Sequence, residues 1–344
     1  MNLHSDHTAA GLTTAGVSVL ICCYNSASRL PATLRHLALQ DVRPAIDWEI
    51  IVVDNASTDD TAEVANKEWD RYQLPKVAFK VVNEPKPGKH NALNTGIGCS
   101  TYEYVIICDD DNWLNNDYIG KAYEIMRLEP LVGAAGGQGI AITEMQLPDW
   151  FGRYQYAYAV GKQRERTGYL PYAQYIWGAG MVFRKSLYKK VYKNLPSFLT
   201  GPHTDTLARG EDVEFCFRIQ LAGCKLYYND GLIFKHYMPA ERLTTTYQRK
   251  LLGGSAFESR ILNLYTRQIK INNLPIYKKT LLLCLVFIRY VVSRVFPDSK
   301  WVTSYESESF YQFTGFRLSD VADDTIKIRK LSQELSARKQ ALNV

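Results

Sequence analysis

Between residues 17 and 142 five apolar runs of strand length alternate with stretches of helical spacing, and four of the runs end in polar side chains. The runs are "VSVLICCYN" (17–25), "WEIIVVDNAS" (48–57), "KVAFKVVNEP" (76–85), "EYVIICDDD" (103–111) and the glycine-rich "VGAAGGQGIAI" (132–142). Between them, 30–40 repeats Leu30, Leu34 and Leu37 at helical spacing. Residues 61–72 read as a helix with Asp60 as N-cap and Glu63 three residues on, 90–100 as a short helix, and 117–130 as a helix stopped by Pro130. Near-continuous apolar strands separated by helices predict a doubly wound, mostly parallel α/β sheet flanked by helices. Ligands bind such sheets beyond the carboxyl ends of the strands. Tyr24-Asn25, Asp54-Asn55, Asn83-Glu84 and Asp109–Asp111 all fall there.

Three adjacent carboxylates at a strand end repel one another. A solvated turn accommodates such residues; a bound cation makes them favourable. The first turn, "CYNSASRL", has no GxGxxG, and no P-loop pattern occurs, which argues against a dinucleotide-binding dehydrogenase. The seven cysteines include no CxxC pair, as expected of reduced thiols in a cytoplasmic compartment. Residues 1–16 lack a basic region before an apolar block and read as a flexible tail, not a signal peptide.

Six motifs in order carry a resemblance: "VSVLICCYNSASRLPATLRHLALQ", "EIIVVDNASTDDT", "GKHNALNTGI", "VIICDDDNWLNNDYI", "GAGMVFRKSLY" and "GEDVEFCFRIQLAGCKLYY". Together they resemble the family 2 glycosyltransferases of GT-A fold, over residues 17–246. The resemblance implies a nucleotide-sugar donor, Mn²⁺ or Mg²⁺, and inversion at the anomeric carbon. It puts the acid-any-acid motif on Asp109 and Asp111, with Asp110 between them near the donor. There the metal would act as Lewis acid for the departing diphosphate. It puts uracil recognition on Asp54, whose carboxylate can accept the imide N–H; the same residue also suits an Asx turn. Lys89 and Asn94 match positions near the nucleotide, although Lys89 also suits a solvated helix start; Tyr24, followed by Asn25 at the same nucleotide-binding rim, could pack on the base or simply close the strand, and Arg242 is the arginine that accompanies His236 at the donor. His236 would serve as metal ligand or diphosphate contact, and a lone histidine after a strand is also commonly structural.

"IWGAGMVFRK" (176–185) sets Gly178 beside Trp177, so that backbone can approach closely and an indole face can meet a sugar. A tight buried strand would have the same composition. Glu211 and Asp212 open a predicted helix in which Phe215, Ile219 and Ala222 recur and Gly223 ends the run. Acids favour a helix N-terminus; the resemblance makes Asp212 the catalytic base and Glu211 its competitor.

Residues 247–344 read as a helical C-terminal extension. The formal charge of +6 is concentrated in it: 247–300 carries ten Lys and Arg against Glu258 and Asp298, while the remaining chain is near balance. This asks for an anionic partner. No run reaches the ~20 apolar residues of a spanning helix. Over 275–296, Leu281, Leu285, Ile288, Val292 and Val295 share one helical face, opposite Lys278, Lys279, Arg289, Ser293 and Arg294. That pattern suits an in-plane interfacial helix on an anionic membrane, or an amphipathic helix packed on the core. The last twenty residues read as a solvated or self-associating helix.

The expected protein is a metal-dependent inverting glycosyltransferase using a UDP-sugar, with a saccharide or lipid-linked saccharide acceptor at the inner membrane face, as in surface polysaccharide synthesis. A nucleotidyltransferase acting on a sugar phosphate is the rival enzyme, but it would want a phosphate loop after the first strand. A noncatalytic sugar or nucleic-acid binding module is the rival of another class, and 247–300 contains no RNA motif.

Overall fold

The computed structural model describes residues 14–43, 46–199, 210–253, 256–295, 304–317 and 321–340. Most of the expected tail, residues 1–13, lies outside them. The first half alternates as predicted: β1 (Thr14–Cys23), α1 (Leu30–Ala38), β2 (Trp48–Asn55), α2 (Thr61–Asp70), β3 (Ala78–Glu84), α3 (Lys89–Cys99) and β4 (Tyr102–Ile107). A short β5 (Asn112–Leu114), α4 (Tyr118–Leu128) and the long β6 (Val132–Ile142) follow. After α5 (Phe151–Tyr154) come β7 (Gly168–Tyr169), β8 (Val182–Arg184), α6 (Lys185–Tyr192), α7 (Glu211–Leu221) and β9 (Lys225–Tyr237). The C-terminal part is α8 (Thr245–Leu252), α9 (Ala256–Asn273), α10 (Ile276–Val295), α11 (Ser304–Thr314) and α12 (Asp323–Gln340).

The described strands form one sheet in the order β3-β2-β1-β4-β8-β6-β9-β5, with β7 paired to β9. β1, β2, β3 and β4 run parallel, as do β6 and β9; β8 and β5 are antiparallel to their neighbours. Successive side chains alternate between faces, and both faces are covered. Val17, Val19 and Ile21 of β1, with Ile50 and Val52 of β2, pack beneath α1, α2 and α4. Leu20, Ile51 and Val53 pack against α3, α6 and α7 on the other face. Burial on both sides is why these strands are almost unbroken apolar runs. The chain winds outward from β1 to β3, then returns to set β4 on the other side of β1. The cleft at the carboxyl ends of β1 and β4 is therefore the switch point where such sheets bind ligands.

Several local expectations are corrected. β4 stops at Ile107, so Asp109–Asp111 lie in a turn leading to β5. Asp60 occupies the N-cap position of α2 without a side-chain cap bond; Asp59 instead accepts from the Thr61 amide at 3.1 Å. Around Gly178 only Val182–Arg184 pair as strand. The terminal helix is not solvated on all sides: Ile328, Leu331 and Leu335 of α12 are buried in the core shared with α7 and α9. On α10, by contrast, Leu281, Leu285, Ile288, Val292 and Val295 are exposed, which excludes packing of that face on the core. The side chains of Arg289, Ser293 and Arg294 lie outside the described residues. No described helix is long and apolar enough to cross a membrane.

Candidate active site

The β1 end is shaped by its own turn. Asn25 takes a left-handed backbone, φ 49°, which asparagine tolerates better than most residues. Its Oδ1 accepts from the Thr58 amide at 2.8 Å, tying the ends of β1 and β2 together. Tyr24 stands on the rim, 59 % exposed. Parallel pairing aligns Cys23, Asp54 and Asn83 across three strands. Asn55 then clamps the next loop: its Nδ2 donates to the carbonyls of Glu84 (3.1 Å) and Lys86 (2.7 Å), and its Oδ1 accepts from Gly88 N (2.8 Å). That clamp aims the start of α3, and Lys89, into the cleft. Asp54 keeps a buried Oδ1 with no hydrogen-bond partner, which at a sheet rim suits a ligand donor.

The three adjacent acids separate. Asp109 pairs with Lys89 Nζ at 2.6 Å. Burial works against the charge on Lys89, but Asp109 and Glu211 outweigh it and raise its proton affinity. The Lys89 side chain is 42 % exposed. Asp110 turns the other way. Ser26 Oγ and Arg29 (Nη2 at 2.5 Å) donate to its carboxylate, and Thr33 Oγ1 donates to its carbonyl at 2.7 Å. Burial first, and Asp111 second, raise its pKa. Its carboxylate is thus engaged by the start of α1 and anchors the turn.

Asp111 is brought to His236 by strand pairing, since Asn112 of β5 lies opposite His236 of β9. Its Oδ1 is 3.4 Å from His236 Nε2 and accepts from Asn112 Nδ2 at 2.7 Å; its Oδ2 pairs with Arg242 Nη1 at 2.7 Å. Burial alone would raise Asp111, but His236 and Arg242 outweigh it and hold the carboxyl below its ordinary range. Asp111 raises the proton affinity of His236 in turn, against the effect of burial. His236 Nδ1 lies 2.8 Å from the Tyr158 carbonyl. That contact orients the ring so that Nε2 faces Asp111.

Among the described residues no three acidic, histidine or cysteine side chains converge closely enough to cage an ion. Asp111 and His236 still fit a divalent metal. They offer one carboxylate and one imidazole, the latter oriented through its second nitrogen as metal-bound histidines usually are. Mg²⁺-type sites commonly take one or two protein ligands and complete their shell with substrate phosphates and water. Asp109, the third expected ligand, is engaged by Lys89.

α7 opens with Glu211 and Asp212 after Gly210, which has a left-handed φ of 92°. Asp212 Oδ2 accepts from the Gly178 amide at 2.9 Å, and Oδ1 from Val213 N at 2.9 Å. A Cβ at Gly178 would lie 3.3 Å from that of Asp212, a tight contact that would push the two apart by a few tenths of an ångström. Trp177 is buried; its ring packs 5.0 Å from Tyr156, and its amide donates to Gln163 Oε1. Asn94 sits on the exposed side of α3, between His90 (2.9 Å) and the Tyr188 hydroxyl (2.8 Å). Burial, with Asp212 and Asp109 adding and Lys89 opposing, pushes the Glu211 carboxyl up to about 7. Glu211, Asp212, Asp109 and Lys89 thus share one electrostatic environment.

That shift has a consequence for stability. A carboxyl near 7 in the folded chain and 4.5 ordinarily binds more protons folded than unfolded between those values. Stability therefore falls as pH rises through that window. Glu211→Gln is expected to stabilise the chain at pH 8 by about 2–3 kcal/mol and hardly at all at pH 5. Urea midpoints with chelator present check this; an equal effect at both pH values refutes it.

One group escaped the sequence reading. Glu214 and Arg218, one helical turn apart on α7, are both fully buried and pair at 2.7 Å. Their i,i+4 spacing was readable, but such a pair normally lies on a solvated face.

The family model for glycosyl transferase family 2 matches residues 18–192, half of the chain. The chain belongs to glycosyl transferase family 2. It is therefore a glycosyltransferase, and the nucleotidyltransferase and noncatalytic readings are set aside. The poly-beta-1,6-N-acetyl-D-glucosamine synthase of Staphylococcus epidermidis is 25% identical over 264 residues, 76% of this chain and 59% of that one. The synthase of Staphylococcus aureus (strain COL) is 24% identical over 263 residues, with the same shares. This glycosyltransferase thus spans about 59% of the length of these curated relatives. Among solved structures, S. aureus TarS 1-349 in complex with UDP-GlcNAc is similar with a TM-score of 0.51 at 16% identity, covering 95% of this chain and 92% of that one. The fold is the GT-A type, a mostly parallel central sheet with flanking helices and a helical C-terminal part.

Proposed function

We propose that this glycosyltransferase moves a sugar from a UDP-sugar to an acceptor hydroxyl in one in-line displacement, with inversion and with Mn²⁺ or Mg²⁺. The reading is supported by the polar groups gathered at the β1–β4 switch: Asp54, Lys89 and the Asp111–His236–Arg242 cluster, with Glu211 at the start of α7 near enough to interact with Lys89 and Asp109. The unpartnered Oδ1 of Asp54 is available to accept the uracil imide N–H. Lys89 and Arg242 are the cations within reach of a diphosphate, each exchanging an internal carboxylate for a phosphate oxygen. Asp111 and His236 would hold the metal, which offsets the charge that builds on the leaving diphosphate. Asp212 takes the proton of the acceptor hydroxyl. Residues 17–246 are read as the transferase unit and 247–344 as its helical extension.

The named relatives synthesise a polymer of N-acetylglucosamine, so UDP-GlcNAc is the donor to test first. With it, UDP release is expected to stop on chelation, to return with Mn²⁺ or Mg²⁺, and to be absent in Asp111→Ala. Undiminished turnover in that variant would sink the metal assignment. By calorimetry Asp54→Ala is expected to weaken UDP binding by about 1–3 kcal/mol, the range for a buried hydrogen bond to a charged group. Equal affinity in both proteins removes Asp54 from the base site.

The acceptor is read as a lipid-linked saccharide at a membrane surface, because α10 combines an exposed apolar face with Lys278 and Lys279. The full chain is expected to sediment with anionic vesicles, and less so as salt rises. Equal sedimentation with neutral vesicles counts against it.

A further inference from the structure

We propose that the cavity enclosed by α9, α10 and α11 is a binding site for the hydrocarbon chain of an anionic membrane lipid. The cavity has a volume of about 490 Å³, within the range of small-ligand sites. Its walls are mostly apolar, with Leu283 and Val286 of α10 facing Phe310 and Phe313 of α11. Two cations, Arg267 and Lys270 of α9, join the lining, and among the described residues no carboxylate does. A chain in the apolar part with an anionic group toward Lys270 satisfies both halves of this lining. Nothing in the transferase cleft uses these residues, so the site stands apart from the donor reading.

The outer side of the same helix identifies the source of the chain. Leu281, Leu285 and Ile288 are 61 %, 48 % and 56 % exposed. α10 thus presents apolar side chains both to the cavity and to solvent. A contiguous apolar face of this kind marks an interaction surface. The segment that bears it, 247–300, carries a net charge of +8. A second copy of the chain would bring equal positive charge to the contact. An anionic bilayer supplies both hydrocarbon and opposite charge, and a helix that cannot span it lies in its surface.

Dodecyl phosphate, kept monomeric below its micelle-forming concentration, is the probe, and calorimetry on the full chain is the readout. One saturable site is expected. Dodecyl maltoside should bind at least tenfold more weakly, and inorganic phosphate should neither bind there nor compete. Leu283→Trp fills the cavity and is expected to weaken dodecyl phosphate at least tenfold while UDP binding stays at its parental value. Leu281→Gln, on the outer face, should bind as the parent does. Val286→Phe is the second cavity-filling variant should Leu283→Trp fail to fold. Parental affinity in either folded cavity variant overturns the proposal. So does equal loss in Leu281→Gln, competition by inorganic phosphate, or the absence of saturable binding. The UDP titration separates failure of this site from failure of the transferase reading, because the two occupy different elements.

Discussion

Asp212→Asn is expected to lower turnover a hundredfold or more while leaving UDP affinity nearly unchanged. Inversion in one step needs the acceptor hydroxyl to attack from the face opposite the nucleotide. The hydroxyl is a poor nucleophile until its proton is taken, and a positioned base contributes about 10²–10⁴-fold. Asp212 is suited by place: it starts α7 beside Glu211, whose charge interacts with Lys89 and Asp109, and its Oδ2 is fixed by the Gly178 amide at 2.9 Å. A carboxylate oxygen has a second lone-pair direction, so that amide leaves room for the acceptor proton. The asparagine keeps the shape and the bond to Gly178 but removes the basicity. Glu211 is the competitor, its carboxyl pushed up to about 7 chiefly by burial. Normal turnover in Asp212→Asn with a dead Glu211→Gln would exchange the two roles. Full activity in both variants would remove this helix start from the chemistry.

Arg218→Met is expected to cost about 3–5 kcal/mol of stability, the range for breaking a buried ion pair by removing one partner. Arg218 donates to Glu214 through Nε and Nη2, to the carbonyls of Val191 and Leu195 at 3.0 and 2.6 Å, and to that of Pro196 at 2.8 Å. Glu214 in turn accepts from Ser197 Oγ, from the amides of Phe198 and Leu199, and from the Tyr265 hydroxyl of α9 at 2.9 Å. The pair therefore fastens the loop after α6 and the C-terminal helix α9 to the helix that bears Asp212. With the guanidinium gone, Glu214 is left charged and buried against an apolar side chain. Urea unfolding reads the loss. The double change Glu214→Leu/Arg218→Met should recover part of it, because neither charge then remains unpaired. A single-variant loss below about 1 kcal/mol would mean that water reaches Glu214.

Much of the fold was legible because its rules are local. Strands buried on both faces must be apolar throughout, so β1, β2 and β4 stood out as unbroken runs. Polar residues collect where such strands leave the core, which marked the rim at Tyr24, Asp54 and Asp109. Where a rule needed a distant partner, the reading failed. Residues 176–185 stayed open between a tight strand and a close backbone approach, because a glycine-rich apolar stretch suits either, and only Val182–Arg184 pair as strand. α12 read as a solvated or self-associating helix because its apolar face, Ile328, Leu331 and Leu335, is narrow and gains meaning only when α7 and α9 cover it. The apolar face of α10 was visible as a pattern, but periodicity alone does not say whether a face is covered.

The sequence by itself determined the alternating sheet, the rim on which the polar groups gather, and the presence there of acids, a lysine and a histidine. Those follow from spacing and side-chain chemistry within one element at a time. Only the tertiary structure decided the fate of each acid. Asp109 meets Lys89, Asp110 meets Arg29, and Asp111 meets His236 and Arg242. Three neighbouring carboxylates have the same intrinsic chemistry, and what separates them is the direction in which a turn points each one. That direction is set by strand pairing and helix starts brought in from distant parts of the chain, and it selects which carboxylate is left to anchor a loop and which to face the cleft.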